Sequence, residues 1–251
     1  MDTQKLIGEA CPAINDNGWL YYFDPATTAR GERLGLNTFE FYFLGRGGVL
    51  GDVEAPVVAS AFGYFNPAAV AMMWESGRAK IEPREAGREY FLAAHDFGRK
   101  RLTGVEELDG YVAAATKVLD AARDQVPGLS LFAAASAEPI PDDAPAAAMH
   151  LTAVLREFRG SAHLLAVIAQ GLDPKIAHLI RRPEAWTMFG WTDPAPAFTD
   201  ADTAALKAAD ALTDRLVTPA YSLLDDDDAA ALLAGLAVIP PRLEGNSIPA
   251  V

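Results

Sequence analysis

Residues 146–171 read AAAMHLTAVLREFRGSAHLLAVIAQG. The run contains neither proline nor an internal turn signal. Its apolar residues recur at the three- and four-residue spacing of one helical face, and apolar residues also fill much of the other faces. The stretch therefore predicts one long, mostly buried helix over 146–170, opened by Pro145 in its first turn and closed by Gly171. A polar knot, Arg156, Glu157 and Arg159, sits in the middle of it. His150 and His163 lie on either side of the knot.

A helix turns about 100° per residue, so Arg156, Arg159 and His163 share one stripe, and His150 and Glu157 share a second. Buried charges are costly unless paired. The knot is thus either an internal ion-pair network or the wall of a pocket. In the pocket reading, guanidinium groups hold an anion and His163 or Glu157 moves a proton.

Working outward, the rest of the chain is punctuated like a helical protein. Asn66-Pro67, Asp173-Pro174 and Thr199-x-x-Asp202 each place a capping side chain ahead of an apolar run. Thr103-Gly104-Val105-Glu106 reads as a capping box for a helix reaching 124. Residues 1–10 read as a helix ending before Pro12, and Asn15-Asp16-Asn17-Gly18 as a turn. The aromatic run of residues 19–23 includes Tyr22. Residues 36–44 look helical and lead into Gly45-Arg46-Gly47-Gly48, read as a helix-terminating turn with Arg46 fixed in a loop beside Tyr42. Residues 138–145 are the most linker-like part of the chain, and the acidic block 225–228 faces the positive end of a helix. Pro240-Pro241 is expected to end structure, with the tail to Val251 as an extended strap. The fold class is all-α, with about nine to eleven helices. An N-terminal part (1–137) and a C-terminal part (145–251) are expected to form one compact unit.

Composition narrows the function classes. The chain has 251 residues and a formal net charge of −13, which argues against nucleic acid or an anionic membrane as a partner. No apolar run approaches the ~18 residues needed to cross a bilayer. Residues 1–12 lack the pattern of a secretory signal, so a cytoplasmic setting is expected. Cys11 is the single cysteine, which excludes an intramolecular disulfide and a cysteine-based zinc cluster. His150 and His163 would lie more than about 15 Å apart along one straight helix, too far to share a metal. Neither a metal nor a cofactor is expected, and a homodimer is left open.

The chain also resembles a family of helix-turn-helix-like proteins from high-GC bacteria. The resemblance rests on residues 42–47 (YFLGRG) with Leu50-Gly51, on Phe65-Asn66-Pro67 and Trp74, and on residues 155–160 (LREFRG) with His163 and Gly171-Leu172. It implies a winged-helix region that here looks shortened to residues 194–217. Gly18-Trp19, Phe158 and Ser161 stand where the family pattern has His, His and Asp. The resemblance carries no settled activity. Two readings follow. The first is a small-molecule-binding helical protein of specialised metabolism that acts on an anionic or aromatic substrate by acid/base chemistry (isomerase, cyclase or lyase type). His163 and Glu157 are its catalytic candidates, and Tyr22, Tyr42, Arg46, Arg156 and Arg159 bind the substrate. The residues leave open whether catalysis follows binding. The second is a winged-helix-like regulator with a degenerate DNA-binding region, for which the only basic run in the C-terminal part is 175–182.

Overall fold

The computed structural model describes residues 1–239, and among these there are twelve α-helices and no strand. In chain order they are α1 (Thr3–Asn17), α2 (Pro25–Arg33), α3 (Thr38–Gly47), α4 (Ala55–Phe62), α5 (Pro67–Arg78), α6 (Pro83–Leu102), α7 (Leu108–Arg123), α8 (Ser130–Ala135), α9 (Ala144–Ala169), α10 (Pro174–Arg181), α11 (Asp200–Tyr221) and α12 (Asp226–Val238). The all-α reading holds, with one helix beyond the upper expectation. The extra one is α8, whose six small and apolar residues are too short a run to show a helical period. The expected end at Pro240-Pro241 and the strap to Val251 lie outside the described residues.

α9 is the long helix of the opening stretch, running 144–169 rather than 146–170. Asp143 caps it by accepting from the Ala146 N–H, and Pro145 sits in its first turn. At its C-terminus the Gly171 N–H donates to the Ile168 carbonyl and the Leu172 N–H to the Val167 carbonyl. Gly171 takes the left-handed conformation (φ +71°) that this closing motif requires. Helices α1, α6, α7, α8, α10 and α11 all pack on α9. Its first half is buried all round, from Ala146 through Leu155. Beyond Phe158 only Ala162, Ala166 and Val167 are buried. The polar knot falls at this change from core helix to surface helix.

Several local readings need correction. α1 continues through Pro12 to Asn17, so the expected turn at Asn15–Gly18 is its last helical turn. Leu6, Ile7, Ala10, Cys11 and Ile14 form one buried stripe across Pro12, while Pro12 itself is exposed. The carbonyl left without its helical donor therefore faces solvent, where a break in the ladder costs least. Thr103 is not an N-cap. It ends α6, donating its hydroxyl to the Arg99 carbonyl at 2.6 Å, and α7 begins only at Leu108. Arg46 is not in a loop either. α3 runs on through Gly47 because Gly45 and Gly47 lie against the Tyr90 and Trp74 rings, where small residues let the helices approach. The linker-like stretch is anchored at one end, where buried Glu138 meets Arg84 at 2.7 Å.

Most of the core is one apolar cluster drawn from α1 to α12. A smaller cluster, Ala166, Val167, Leu172, Ala177, Leu206 and Ala209, joins the end of α9 to α10 and α11. His150 is fully buried in the main body, with its Nδ1 3.1 Å from Nε2 of His95 and its ring against Phe91. One imidazole donates and the other accepts, so both are neutral. Burial, then Arg99, lowers His95 to about 4; burial, then His95 itself, lowers His150 to about 3.

Two predictions follow from the packing. A Cβ at Gly98 would sit 2.2 Å from the Pro145 carbonyl, whereas one at Gly8 meets nothing within 4 Å. Gly98→Ala should cost about 1–3 kcal/mol of unfolding free energy in urea, and Gly8→Ala should gain roughly 0.5–1 kcal/mol. Equal effects at the two positions would contradict the close α6–α9 approach. The second prediction concerns acid. Both histidines have folded pKa values below their unfolded value of 6.5, so below that pH the unfolded chain binds the extra protons. Stability is full above about pH 6.5 and falls as pH drops toward 4, where carboxylates add to the slope. The slope of urea stability against pH between 6.5 and 5 should flatten in a His95→Gln/His150→Gln variant.

Candidate functional site

The knot on α9 divides between two partners. Glu157 turns toward α3. Arg46 grips its carboxylate with two parallel hydrogen bonds, Nε to Oε1 and Nη2 to Oε2, both 2.8 Å. Tyr22, from the turn after α1, donates its hydroxyl to Oε1 at 3.1 Å and accepts from Arg156 Nη1 at 3.1 Å. Arg46 also donates to the Tyr42 hydroxyl one helical turn earlier (3.0 Å), and its guanidinium lies over the Phe62 ring at 4.6 Å. Burial pushes the Glu157 carboxyl up, but the Arg46 charge and hydrogen bonds, then Arg156 and Tyr22, outweigh it and hold the group ionised. Burial works against the charge on Arg46 too, and Glu157 more than restores it.

Arg159 and His163 turn toward α11. Arg159 meets Asp214 at 3.2 Å, and His163 Nδ1 lies 3.0 Å from the Thr213 hydroxyl and 3.7 Å from Asp210. Asp210 is held in turn by Arg181 of α10. The stripe of Arg156, Arg159 and His163 is therefore real as a face, but its members serve different networks.

Between these networks lies a cavity of about 360 Å³. The C-terminal half of α9 forms one wall, from Arg156 to Leu164, and α3 contributes Tyr42 and Arg46. Phe62, Tyr64 and Phe65, at and beyond the end of α4, form an aromatic side. His178, Arg181 and Arg182 at the end of α10 form the last side, with Phe189 beyond them. The rings make a continuous stack. Phe65 lies on Phe189 at 4.0 Å, Phe189 on His178 at 3.7 Å, and Tyr64 stands 6.4 Å from both His178 and His163.

The cavity's charge is lopsided. Five guanidinium groups line it (Arg46, Arg156, Arg159, Arg181 and Arg182) against one carboxylate, Glu157. Asp210 and Asp214 behind the wall balance two of them. Arg182 is half-buried and has no ion pair or hydrogen bond from its side chain among the described residues. Burial lowers His163 to about 4, helped by Arg181 and Arg159; burial, then Arg182, lowers His178 to about 4. Both imidazoles are neutral at pH 7. The Tyr64 hydroxyl and His178 Nε2 are buried without a partner among the described residues. A cationic, aromatic-walled cavity with polar atoms lacking partners is suited to a planar anion.

Of the residues singled out in the sequence, Tyr42, Arg46, Arg156, Glu157, Arg159 and His163 come together on the cavity wall. Tyr22 does not line it. Its hydroxyl steadies Glu157 and Arg156 from behind. Tyr64, His178, Arg181, Arg182 and Phe189 were missed as site residues. The basic run 175–182 was visible, but only the packing of α10 turns its end inward. Among the described residues no group of three or more His, Cys, Asp or Glu side chains could hold a metal ion.

A family model described as a helix-turn-helix family matches residues 9–244. The chain belongs to this helix-turn-helix family. No curated protein and no solved structure matches it. Within this family member, α9 and α10 are two helices joined by a tight turn at 170–173, and α11 closes the small three-helix core. The described residues contain no strand, hence no wing. Residues 194–217 instead supply the lead-in to α11 and most of that helix, which packs on α1, α7, α9 and α10. α10 is largely covered: among its eight residues only Arg181 is exposed, and that side chain is paired with Asp210. Lys175 lies over the Trp191 ring at 5.4 Å.

The Arg46–Glu157 pair should behave as a buried ion pair. Arg46→Ala leaves the carboxylate uncompensated and should cost about 3–5 kcal/mol in urea unfolding. The double variant Arg46→Met/Glu157→Gln should cost clearly less than Arg46→Ala alone. Additive losses would mean that the two side chains are not coupled.

Proposed function

We propose that this protein binds an anionic small molecule with a flat ring in the cavity between α3, α4, α9 and α10. The observation that carries this reading is the local reversal of charge: five guanidinium groups around an aromatic-walled cavity in a chain of net charge −13. A cavity of this size takes a ligand of metabolite dimensions. Among the described residues Arg182 has no ion pair or side-chain hydrogen bond, and Arg156 donates only through Nη1, to Tyr22 and to Glu157. The Tyr42 hydroxyl accepts from Arg46 and so retains its own proton for a ligand.

We extend this reading to a cofactor-independent enzyme of specialised metabolism that uses acid/base chemistry of isomerase, cyclase or lyase type. Glu157 then takes a different role from His163. A carboxylate locked between two nitrogens of Arg46 is a fixed anion that orients its neighbours, and a poor proton acceptor. His163 is the group placed to accept a proton.

The family's name supports a second reading, a transcriptional regulator. Against it stand the covered α10 and the acidic surface, because a recognition helix has to offer an exposed basic face to the major groove. Fold-family names do not by themselves assign function.

The test is binding of benzoate, salicylate and phthalate, followed by calorimetry and by the thermal midpoint. At least one of them should bind and raise the midpoint. Arg182→Ala should weaken that binding about tenfold or more, as expected for one charge-assisted contact, while leaving the unliganded midpoint nearly unchanged. No binding by any aromatic carboxylate, together with salt-sensitive binding to duplex DNA, would favour the regulator.

A further inference from the structure

We propose that His163 is a general base whose Nε2 takes a proton from the bound substrate, and that Thr213 is the positioning residue that sets its tautomer. The inference rests on the cavity being a ligand site and specifies the chemistry performed there: proton abstraction from a carbon acid of an anionic, conjugated molecule.

The assignment comes from counting hydrogens. A threonine hydroxyl has one proton to give. Thr213 Oγ1 lies 2.7 Å from the Ala209 carbonyl, a separation that needs a proton between the two oxygens, so the hydroxyl donates there. Its contact with His163 Nδ1 at 3.0 Å must then run the other way, with Nδ1–H donating to Oγ1. Asp210, 3.7 Å from the same nitrogen, favours the same arrangement. Neutral His163 thus carries its proton on Nδ1 and a lone pair on Nε2. Nε2 has no hydrogen-bond partner among the described residues, and the ring forms part of the cavity wall. A base oriented by a third group through its other nitrogen is the arrangement that general-base catalysis uses.

The surroundings fit a reversible transfer. The charged groups around His163 are Arg159 on its own helix, Asp210 on α11 and Arg181 on α10, with Tyr64 stacked on its ring. Burial first, then Arg181 and Arg159, hold the free imidazole neutral. When the substrate C–H bond breaks, the proton passes to Nε2 and the electron pair delocalises into the conjugated system. The same guanidinium groups then face the negative charge that develops. Asp210 faces the imidazolium from the Nδ1 side. The imidazolium, disfavoured by burial and by Arg181 and Arg159, returns its proton to a second carbon of the same molecule. The net change is a proton shift that needs no oxidant, reductant or co-reactant.

Because the natural substrate is unidentified, 5-nitrobenzisoxazole serves as the probe. A base removes its ring C–H proton, the N–O bond breaks, and a coloured cyanophenolate forms, whose charge the arginines can meet. The wild-type protein should accelerate this elimination, and His163→Ala should lose about 100-fold or more of the acceleration, the scale of general-base catalysis. Thr213→Val should lower the rate about tenfold, and Thr213→Ser should restore it. Nitrogen NMR of ¹⁵N-histidine protein gives an independent readout. His163 should be protonated on Nδ1 in the wild type and in Thr213→Ser, and a tautomer mixture in Thr213→Val.

Several outcomes overturn the assignment. An unprotonated Nδ1 in the wild-type spectrum would do so without any variant, even if His163→Ala failed to fold. Equal turnover by wild type and His163→Ala, with benzoate still bound by both, would remove the base and leave the anion site standing. Turnover that depends on His163 in a protein that binds no aromatic carboxylate would keep the base and remove the anion site. Loss of both activities removes both readings.

Discussion

A carboxylate has to be kept charged where a core helix comes to the surface, and much of the site's geometry answers to that. Glu157 sits on α9 at the point where all-round burial ends. Leaving it unpaired would cost several kcal/mol after desolvation. Arg46 meets that demand with a fork of two equal hydrogen bonds, which fixes direction as well as distance. α3 packs chiefly on α5 and α6, so the guanidinium bridges a space between α3 and α9. Tyr42, one turn earlier on α3, and Tyr22, behind α9, are drawn into the same network. The pair thus props two walls apart as much as it holds them together.

The same side chains make the ion-pair network and line the cavity. One carboxylate between two nearby arginines leaves the group positive overall, and Arg156 Nε is buried without a partner among the described residues. The group's surplus charge faces the cavity. The same economy holds at α11, where Asp210 and Asp214 compensate Arg181 and Arg159 from behind while the guanidinium groups remain on the wall. Arg182 has no such compensation among the described residues.

In this family member α10 follows α9 across a tight turn at 170–173. α10 carries the basic run that a recognition helix would need. Its residues instead meet Trp191, Phe189 and Asp210, and the small three-helix core holds it against the end of α9.

The sequence by itself determined the helical class, the central helix and many helix starts, because these depend on period and on capping chemistry within a few residues. Asn66-Pro67, Asp173-Pro174 and Thr199 with Asp202 all cap as their spacing demands. It also marked Arg156, Glu157, Arg159 and His163 as anomalous, since charges inside an apolar helix need an account. Local rules failed where a tertiary contact outweighed them. Pro12 was read as a stop and proved harmless on a solvent face; Gly45 and Gly47 were read as a turn and proved to be helix contacts. Only the tertiary structure decided which partner each charge met. Arg46 lies 111 residues from Glu157, and the aromatic and basic residues around 64, 178–182 and 189 reach the cavity through packing between distant helices. His163 meets Thr213 from fifty residues away on another helix, and no spacing rule connects them.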